Sequence, residues 1–282
     1  MSFFVKIALL LRISQWSKAV FVFLGVIYSN TAGYLWMAVL AAIAFCFTAS
    51  AVYIYNDLQD IEEDKVHPQK SHRPLASGLV SVPFALRMMT LCVLAGLILG
   101  FVVSYKLVLI LLIYLLINFL YNHGIRSIPF LDVLCIASGF MLRIMAGTVG
   151  IGLPITWWLT ITATLLSLYI ALSKRRLEMH LGIQRSQRAV LKRYNKKVLD
   201  ILIVGTAISC FISYLLYTVY ARDELMYFLL TLPFCAFGLW RFSTLTLHNG
   251  NNDDPISLFL HDNLSLLNLL CFSFLTIIAL LQ

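Results

Sequence analysis

Charge is scarce in this sequence, and the scarcity excludes an ordinary soluble domain. Asp, Glu, Lys and Arg make up 12% of the 282 residues, 61% are hydrophobic, and the mean hydropathy is +0.88. A soluble domain of this length needs far more charge on its surface. Paired cysteine motifs are also missing. Cys46, Cys92, Cys135, Cys210, Cys235 and Cys271 all fall within apolar runs, and no two form a C-x-x-C pair. Buried thiols are expected, with neither a disulfide framework nor a zinc site. No small-residue cleavage site follows a short apolar core, so no removable signal sequence is expected and the first apolar run reads as a spanning helix. No polar interruption is long enough for a soluble domain, and there is no low-complexity tract.

What the chain has instead is long apolar stretches of roughly 20 residues, the length of a spanning helix and twice that of a spanning strand. In lipid every backbone N–H and C=O must be paired within the protein, which helices and closed barrels alone achieve. The expected fold is therefore all-α, a polytopic membrane helix bundle forming a single domain over 1–282. Nine spans are predicted, near 19–37, 38–56, 84–103, 107–122, 130–150, 156–174, 198–220, 224–241 and 264–281. Longer polar interruptions cover 57–83, 175–197 and 242–263. The first two follow spans two and six, as an internal repeat would place them, but the sequence similarity is too weak to assert one. With the N-terminus in the cytoplasm, all but three of the 21 Lys and Arg fall on the cytoplasmic side. Lys106 and Arg222 fall outside and Arg143 within a span. That asymmetry orients the chain by the positive-inside rule, with both long loops cytoplasmic. The net charge of +8 then reflects topology and implies no nucleic-acid partner.

The most informative segment is Asn56-Asp57-Leu58-Gln59-Asp60-Ile61-Glu62-Glu63-Asp64. Asp57, Asp60 and Asp64 are spaced i, i+3, i+7, which on a helix puts three carboxylates on one face. Neighbouring charges about 6 Å apart would repel by roughly 3 kcal/mol at an effective dielectric of 20. A solvated acidic loop is the plain alternative. The regular spacing favours a hard divalent cation, and Mg2+ is expected, since it takes carboxylate oxygens and bridges to substrate phosphates. Asn56 would add a neutral oxygen or an amide donor. Downstream, Pro68 is expected to end the helix, and Lys70 and Arg73 stand in the turn-rich loop that follows. Cations beside a metal suit a diphosphate.

The run N-D-x-x-D-x-x-x-D followed by H-P-x-K-x-x-R-P-x-A-x-G resembles the UbiA superfamily of intramembrane prenyltransferases. Within it the chain looks most like the branch of decaprenyl-phosphate phosphoribosyltransferase. The resemblance runs nearly end to end. It takes in Gln15-Trp16-Ser17-Lys18, Tyr121 to Asp132, Gly139-Phe140-Met141-Leu142-Arg143, Leu172-Ser173-Lys174-Arg175-Arg176-Leu177-Glu178, Pro233, Arg241-Phe242, Asp254-Pro255 and Asp262. The chain departs from the pattern R-P-x-Q-W-x-K-N at Ile13 and Ala19, and Arg126 stands where Y-x-x-x-L-K carries Lys. The resemblance implies a Mg2+ site at Asn56, Asp57, Asp60 and Asp64. It implies phosphate contacts from Lys18, Lys70, Arg73, Tyr121, Arg126, Arg143, Lys174, Arg175 and Arg176.

Aromatic prenyltransferases of this superfamily carry a second aspartate-rich motif after span six. Here Lys174-Arg175-Arg176-Leu177-Glu178-Met179-His180 holds one carboxylate. A basic cluster suits a free phosphate; positive-inside charge is the alternative. The implied reaction moves 5-phosphoribose from 5-phosphoribosyl 1-diphosphate to a polyprenyl phosphate in the bilayer, releasing diphosphate, in the synthesis of cell-envelope polysaccharide precursors at a bacterial inner membrane. Prenyl transfer to an aromatic acid in quinone biosynthesis is the rival enzyme reading, and a transporter of a phosphorylated metabolite or lipid the rival from another class. Arg143, costing roughly 2.5–3.5 kcal/mol at bilayer depth, is expected to face the bundle interior. There it would either pair with Asp132 or bind a substrate phosphate. Gly139 and Gly147 would permit close helix approach nearby. No general base is nominated, since an acceptor phosphate is already anionic, and a homo-oligomer is left open.

Overall fold

The computed structural model describes residues 3–28, 31–66, 70–180, 193–220, 225–248 and 254–281. Among them there are helices and no strand, which is one of the two ways a backbone in lipid can pair its polar groups. The helices gather into two compact units.

The first unit holds residues 1–125 and 142–155. It begins with α1 (Phe3–Leu10), a 3-10 stretch (Ile13–Ala19) and α2 (Val20–Tyr28), followed by α3 (Leu35–Gln59) and α4 (Ile61–Lys65). Then come α5 (Val82–Val103) and α6 (Tyr105–Asn122). The end of α7 (Leu131–Ala146) closes the unit. Helix α3 is its core. In its most apolar window 67% of residues are buried, against 17% in α5 and 22% in α6, which leave their other faces for lipid. Small residues make this possible: Ala41, Ala44, Thr48, Ala49, Ser50 and Ala51 are all buried on α3. Lipid tails are as apolar as Leu, so close van der Waals approach does much of the work of helix association here. Gly147, just past α7, is the extreme case, because a Cβ there would lie 1.6 Å from the carbonyl oxygen of Val22. Between α5 and α6 the chain turns on one residue, Ser104. Its hydroxyl donates to the Gly150 carbonyl (2.5 Å) and accepts from the Leu107 N–H (3.0 Å), capping α6.

The second unit holds residues 126–141 and 156–282. It contains the start of α7, then α8 (Trp157–His180) and α9 (Lys196–Tyr220). After these come α10 (Leu225–Leu229), α11 (Leu232–His248), α12 (Pro255–Leu260) and α13 (Asn263–Leu281). Thr162 on α8 meets Ser213 on α9 at 2.7 Å, and Tyr169 donates to the Leu239 carbonyl of α11 at 2.7 Å. Two late carboxylates serve as caps. Asp254 accepts from the Ile256 N–H ahead of Pro255 at the start of α12. Asp262 accepts from the Ser265 N–H and hydroxyl at the start of α13, and also takes both prongs of Arg241 (3.0 and 2.7 Å).

Among the described residues, seven helices are long and apolar enough to cross a membrane, or eight if α1 and the 13–28 segment, bent by 45°, form one broken span. The chain is a multi-pass membrane protein. The sequence-based count of nine also took in 156–174; α8 covers it at 24 residues but ends in Lys174, Arg175, Arg176 and Glu178. The first predicted span, 19–37, is corrected. Helix α2 is described to Tyr28, a 3-10 turn covers Ala32–Tyr34, and α3 starts at Leu35, so 19–37 is not one continuous helix among the described residues. Helix also begins far earlier, at Phe3, and breaks at Arg12, which sits in the left-handed region (φ 50°).

A candidate metal and phosphate site

The acidic segment does not form one helix. Helix α3 ends at Gln59, Asp60 stands at φ −101°, ψ 11°, and α4 restarts at Ile61. The break is mild, since the Asp60 N–H still bonds the Asn56 carbonyl (3.0 Å) and the Asp64 N–H the Asp60 carbonyl (2.8 Å). Asp57 and Asp64 are buried and share the Arg73 guanidinium, and Asp60 is half-buried at the break between the two helices. Among the described residues no three His, Cys, Asp or Glu side chains gather into a metal cage.

Two buried carboxylates need compensating charge, and the chain supplies it. Arg73 places Nη1 3.1 Å from Asp57 Oδ1 and 2.6 Å from Asp64 Oδ2. Arg12 bonds Asp57 through Nη2 and lies 5.2 Å from the centre of the Tyr53 ring. Arg73 is held by a tight turn. Its carbonyl accepts from the Ser77 N–H (2.9 Å) and hydroxyl (2.7 Å), and Gly78 closes the turn at φ 73°, where a side chain would be strained. That is the physical content of R-P-x-A-x-G. Helix α4 ends at Lys65; Pro68, expected to end it, lies outside the described residues, as does His67.

The donor set suits a hard divalent cation. The position of Arg73 Nη1 is one point within bonding reach of two carboxylate oxygens, and Mg2+ is commonly held by one or two carboxylates together with substrate phosphates. Asp57 and Asp64 are the residues that could hold it. Asn56 has its Oδ1 taken by the Asn122 amide (2.7 Å), which also bonds the Asn118 carbonyl. Of the expected phosphate contacts, Lys18 closes the 3-10 stretch Ile13–Ala19 and Lys70 opens another at Lys70–His72. Tyr121 lies in the last turn of α6, and Arg126 in the 3-10 turn Ile125–Ser127. All four are half-buried.

Arg143 does face the interior of its unit, at 6% exposure. Its guanidinium lies 4.7 Å from the Phe45 ring centre and 5.5 Å from that of Tyr114. It also lines a cavity of about 10 Å³ with Gln15, Trp16 and Cys46. The pairing with Asp132 is corrected. The two are eleven residues apart on one helix, about 16 Å along its axis, and Asp132 pairs with Arg175 instead.

The second unit buries its own charge network. Arg175 is fully buried, with Nε 2.6 Å from Asp132 Oδ2 and Nη1 bonded to Glu178. Asp132 also accepts from the Tyr194 hydroxyl (2.5 Å), which in turn accepts from the Phe130 N–H (2.7 Å). Burial pushes the Tyr194 phenol far above its ordinary value, and the adjoining Asp132 adds to this. Arg176 pairs with Asp200 at 2.5 Å, and Lys174 is half-buried. The structure thus turns two of the three clustered cations toward carboxylates. Tyr194 and Asp200 were missed from sequence. The i, i+3 spacing of Arg175 and Glu178 was the one local signal available.

Comparison with known proteins bears on the family and the fold. The UbiA prenyltransferase family model matches residues 19–267. A decaprenyl-phosphate phosphoribosyltransferase of Mycolicibacterium smegmatis is 29% identical over 66% of this chain and 58% of its own length. One from Corynebacterium glutamicum is 32% identical over 63% and 55%. The chain spans little more than half the length of these curated relatives. Among solved structures, a UbiA homolog from Archaeoglobus fulgidus bound to GPP and Mg2+ superposes with a TM-score of 0.73 at 19% identity, covering 96% of this chain and 99% of that one. The chain belongs to the UbiA prenyltransferase family.

Proposed function

We propose that the protein transfers 5-phosphoribose from 5-phosphoribosyl 1-diphosphate to a polyprenyl phosphate of the decaprenyl type, releasing diphosphate, at a step that supplies cell-envelope polysaccharide precursors. The observation that carries this reading is the convergence of buried Asp57 and Asp64 on one cation position, flanked by Arg12 and Arg73. The names of the curated relatives support the sugar donor and the lipid acceptor. The chemistry of the last turns of α8 and the residues that follow supports them too. From Lys174 to Leu199 the only carboxylate is Glu178, which is buried and bonded to Arg175, so this segment offers nothing for a second metal.

In this reading Asp57 and Asp64 would hold Mg2+, which would supply charge neutralisation for the leaving diphosphate. Lys70 and Arg73 take diphosphate oxygens as charge-assisted donors. The bond from the anomeric carbon to diphosphate breaks, and one from an acceptor phosphate oxygen to that carbon forms. The acceptor oxygen arrives as an anion, so no side chain has to remove a proton. Arg143, buried against Phe45 and Tyr114, is the residue this reading assigns to the acceptor phosphate. The test incubates purified protein with Mg2+, labelled phosphoribosyl diphosphate and a polyprenyl phosphate. A labelled lipid and free diphosphate are expected. A prenylated aromatic acid from a prenyl diphosphate, with no labelled lipid, would give the reaction to the quinone pathway instead. Uptake into proteoliposomes without turnover would make the protein a transporter.

A further inference from the structure

Arg12, Asp57, Arg73 and Asp64 form an alternating chain of charges that sums to zero. Its two kinds of member are held differently. The carboxylates are 2% and 3% exposed and ride on α3 and α4. The arginine side chains are each 25% exposed and ride on irregular backbone. Arg12 sits at the 45° break ahead of the 3-10 stretch, and Arg73 in the turn after Lys70–His72. The acids are therefore fixed, and the cations are the members with somewhere to go.

We propose that Arg73 is the chain's own resting occupant of the metal position, and that divalent metal and diphosphate enter together by exchanging ion-pair partners with Arg12 and Arg73. The inference rests on the metal–diphosphate reading of this site and adds to it a coupling between the two ligands. Metal alone must push Arg73 off Asp57 and Asp64, leaving a guanidinium without its partners beside a doubly charged ion. Diphosphate alone must draw the arginines off buried carboxylates and approach those carboxylates itself. Both steps strand a charge in a poorly solvated place. When both ligands arrive, every charge regains a partner, the metal on the aspartates and the diphosphate on the arginines. Each ligand then raises the affinity for the other by the same factor. The device also keeps the site closed to free metal ions when no donor is present.

The experiment uses Mn2+ as a spectroscopically visible metal and inorganic diphosphate as the anion, with the full chain in detergent and no turnover. Mn2+ affinity is measured with and without diphosphate at matched free Mn2+. The unmodified protein is expected to bind Mn2+ weakly alone and at least ten-fold more tightly with diphosphate. Arg73→Gln is expected to bind Mn2+ alone at least ten-fold more tightly than the unmodified protein and to lose most of the gain from diphosphate. Arg73→Lys, which keeps the charge but bonds with one prong, should fall between them. Equal affinity with and without diphosphate in the unmodified protein overturns the exchange whatever the variants do. So does an Arg73→Gln protein that binds Mn2+ no more tightly. Phosphoribosyl transfer without coupled binding would remove the exchange and keep the reaction; coupled binding without transfer would do the reverse.

Discussion

Replacing Arg175 by Ala separates a ligand from a structural support. A role in holding the donor's 5-phosphate predicts a higher KM for phosphoribosyl diphosphate. Losing one charged hydrogen bond, at roughly 1.5–3 kcal/mol, would weaken donor binding about 10- to 150-fold. The structure directs this guanidinium to Asp132 and Glu178, with all three side chains buried. Removing one partner of a buried ion pair costs about 3–5 kcal/mol, because the other charge stays behind. Here two carboxylates stay behind. A loss of that size shifts the folding equilibrium by about 150- to 5,000-fold, a large fraction of the roughly 5–15 kcal/mol of a typical domain. Arg175→Ala should therefore melt far below the unmodified protein in detergent, with low yield. The triple change Arg175→Met, Asp132→Asn and Glu178→Gln, which removes the stranded charge, should recover much of the loss. Thermal melts followed by tryptophan fluorescence read both. An Arg175→Ala protein that melts normally and shows only a raised KM for the donor would refute the argument and restore Arg175 as a phosphate ligand.

Asp57→Asn, Asp60→Asn and Asp64→Asn should each lose most phosphoribosyl transfer while still inserting, and full turnover in excess chelator would remove the metal. Cysteines introduced at Gln69 and Gln187 in a background lacking the native six should react with an impermeant reagent from the cytoplasmic side alone; reaction from outside would overturn the charge-based topology. The Arg241 hydrogen bonds hold Asp262 well below the usual carboxylate range. Its folded pKa is depressed, so its contribution is complete above the unfolded value near 4 and fades as pH falls below it. Asp262→Asn should therefore lower the melting temperature at pH 7 and matter progressively less towards pH 3; a pH-independent difference would contradict the pairing.

The membrane character and helical class were legible because they follow from the length of apolar runs, which needs no partner information. The acidic motif was legible as chemistry but not as geometry. Spacing alone put Asp57, Asp60 and Asp64 on one face, while the backbone breaks at Asp60 and two arginines from distant segments close on Asp57. The turn-rich loop announced Arg73 beside the carboxylates, but nothing local to Arg12 announces a carboxylate 45 residues away. The Asp132 error was different in kind. Helical rise alone forbids an ion pair across eleven residues, so that correction was available from the sequence. The true partners of Arg175 lie across unrelated sequence distance, apart from Glu178.

The contact between Gly147 and Val22 also has a consequence in time. At a synthesis rate of roughly 5–20 residues per second, the 125 residues separating these positions take about 6–25 s to emerge. Throughout that interval the face of α2 around Val22 and Gly25 has been made and its tightest neighbour has not. The first unit is discontinuous in the chain, resuming at Leu142 after a detour through the second. Its early helices must therefore wait in the bilayer, covered by lipid or by the insertion machinery, with a groove too shallow for any side chain at position 147. A nascent chain truncated before Gly147 is a different molecule from the finished one, and the step that completes the unit is the late arrival of a glycine.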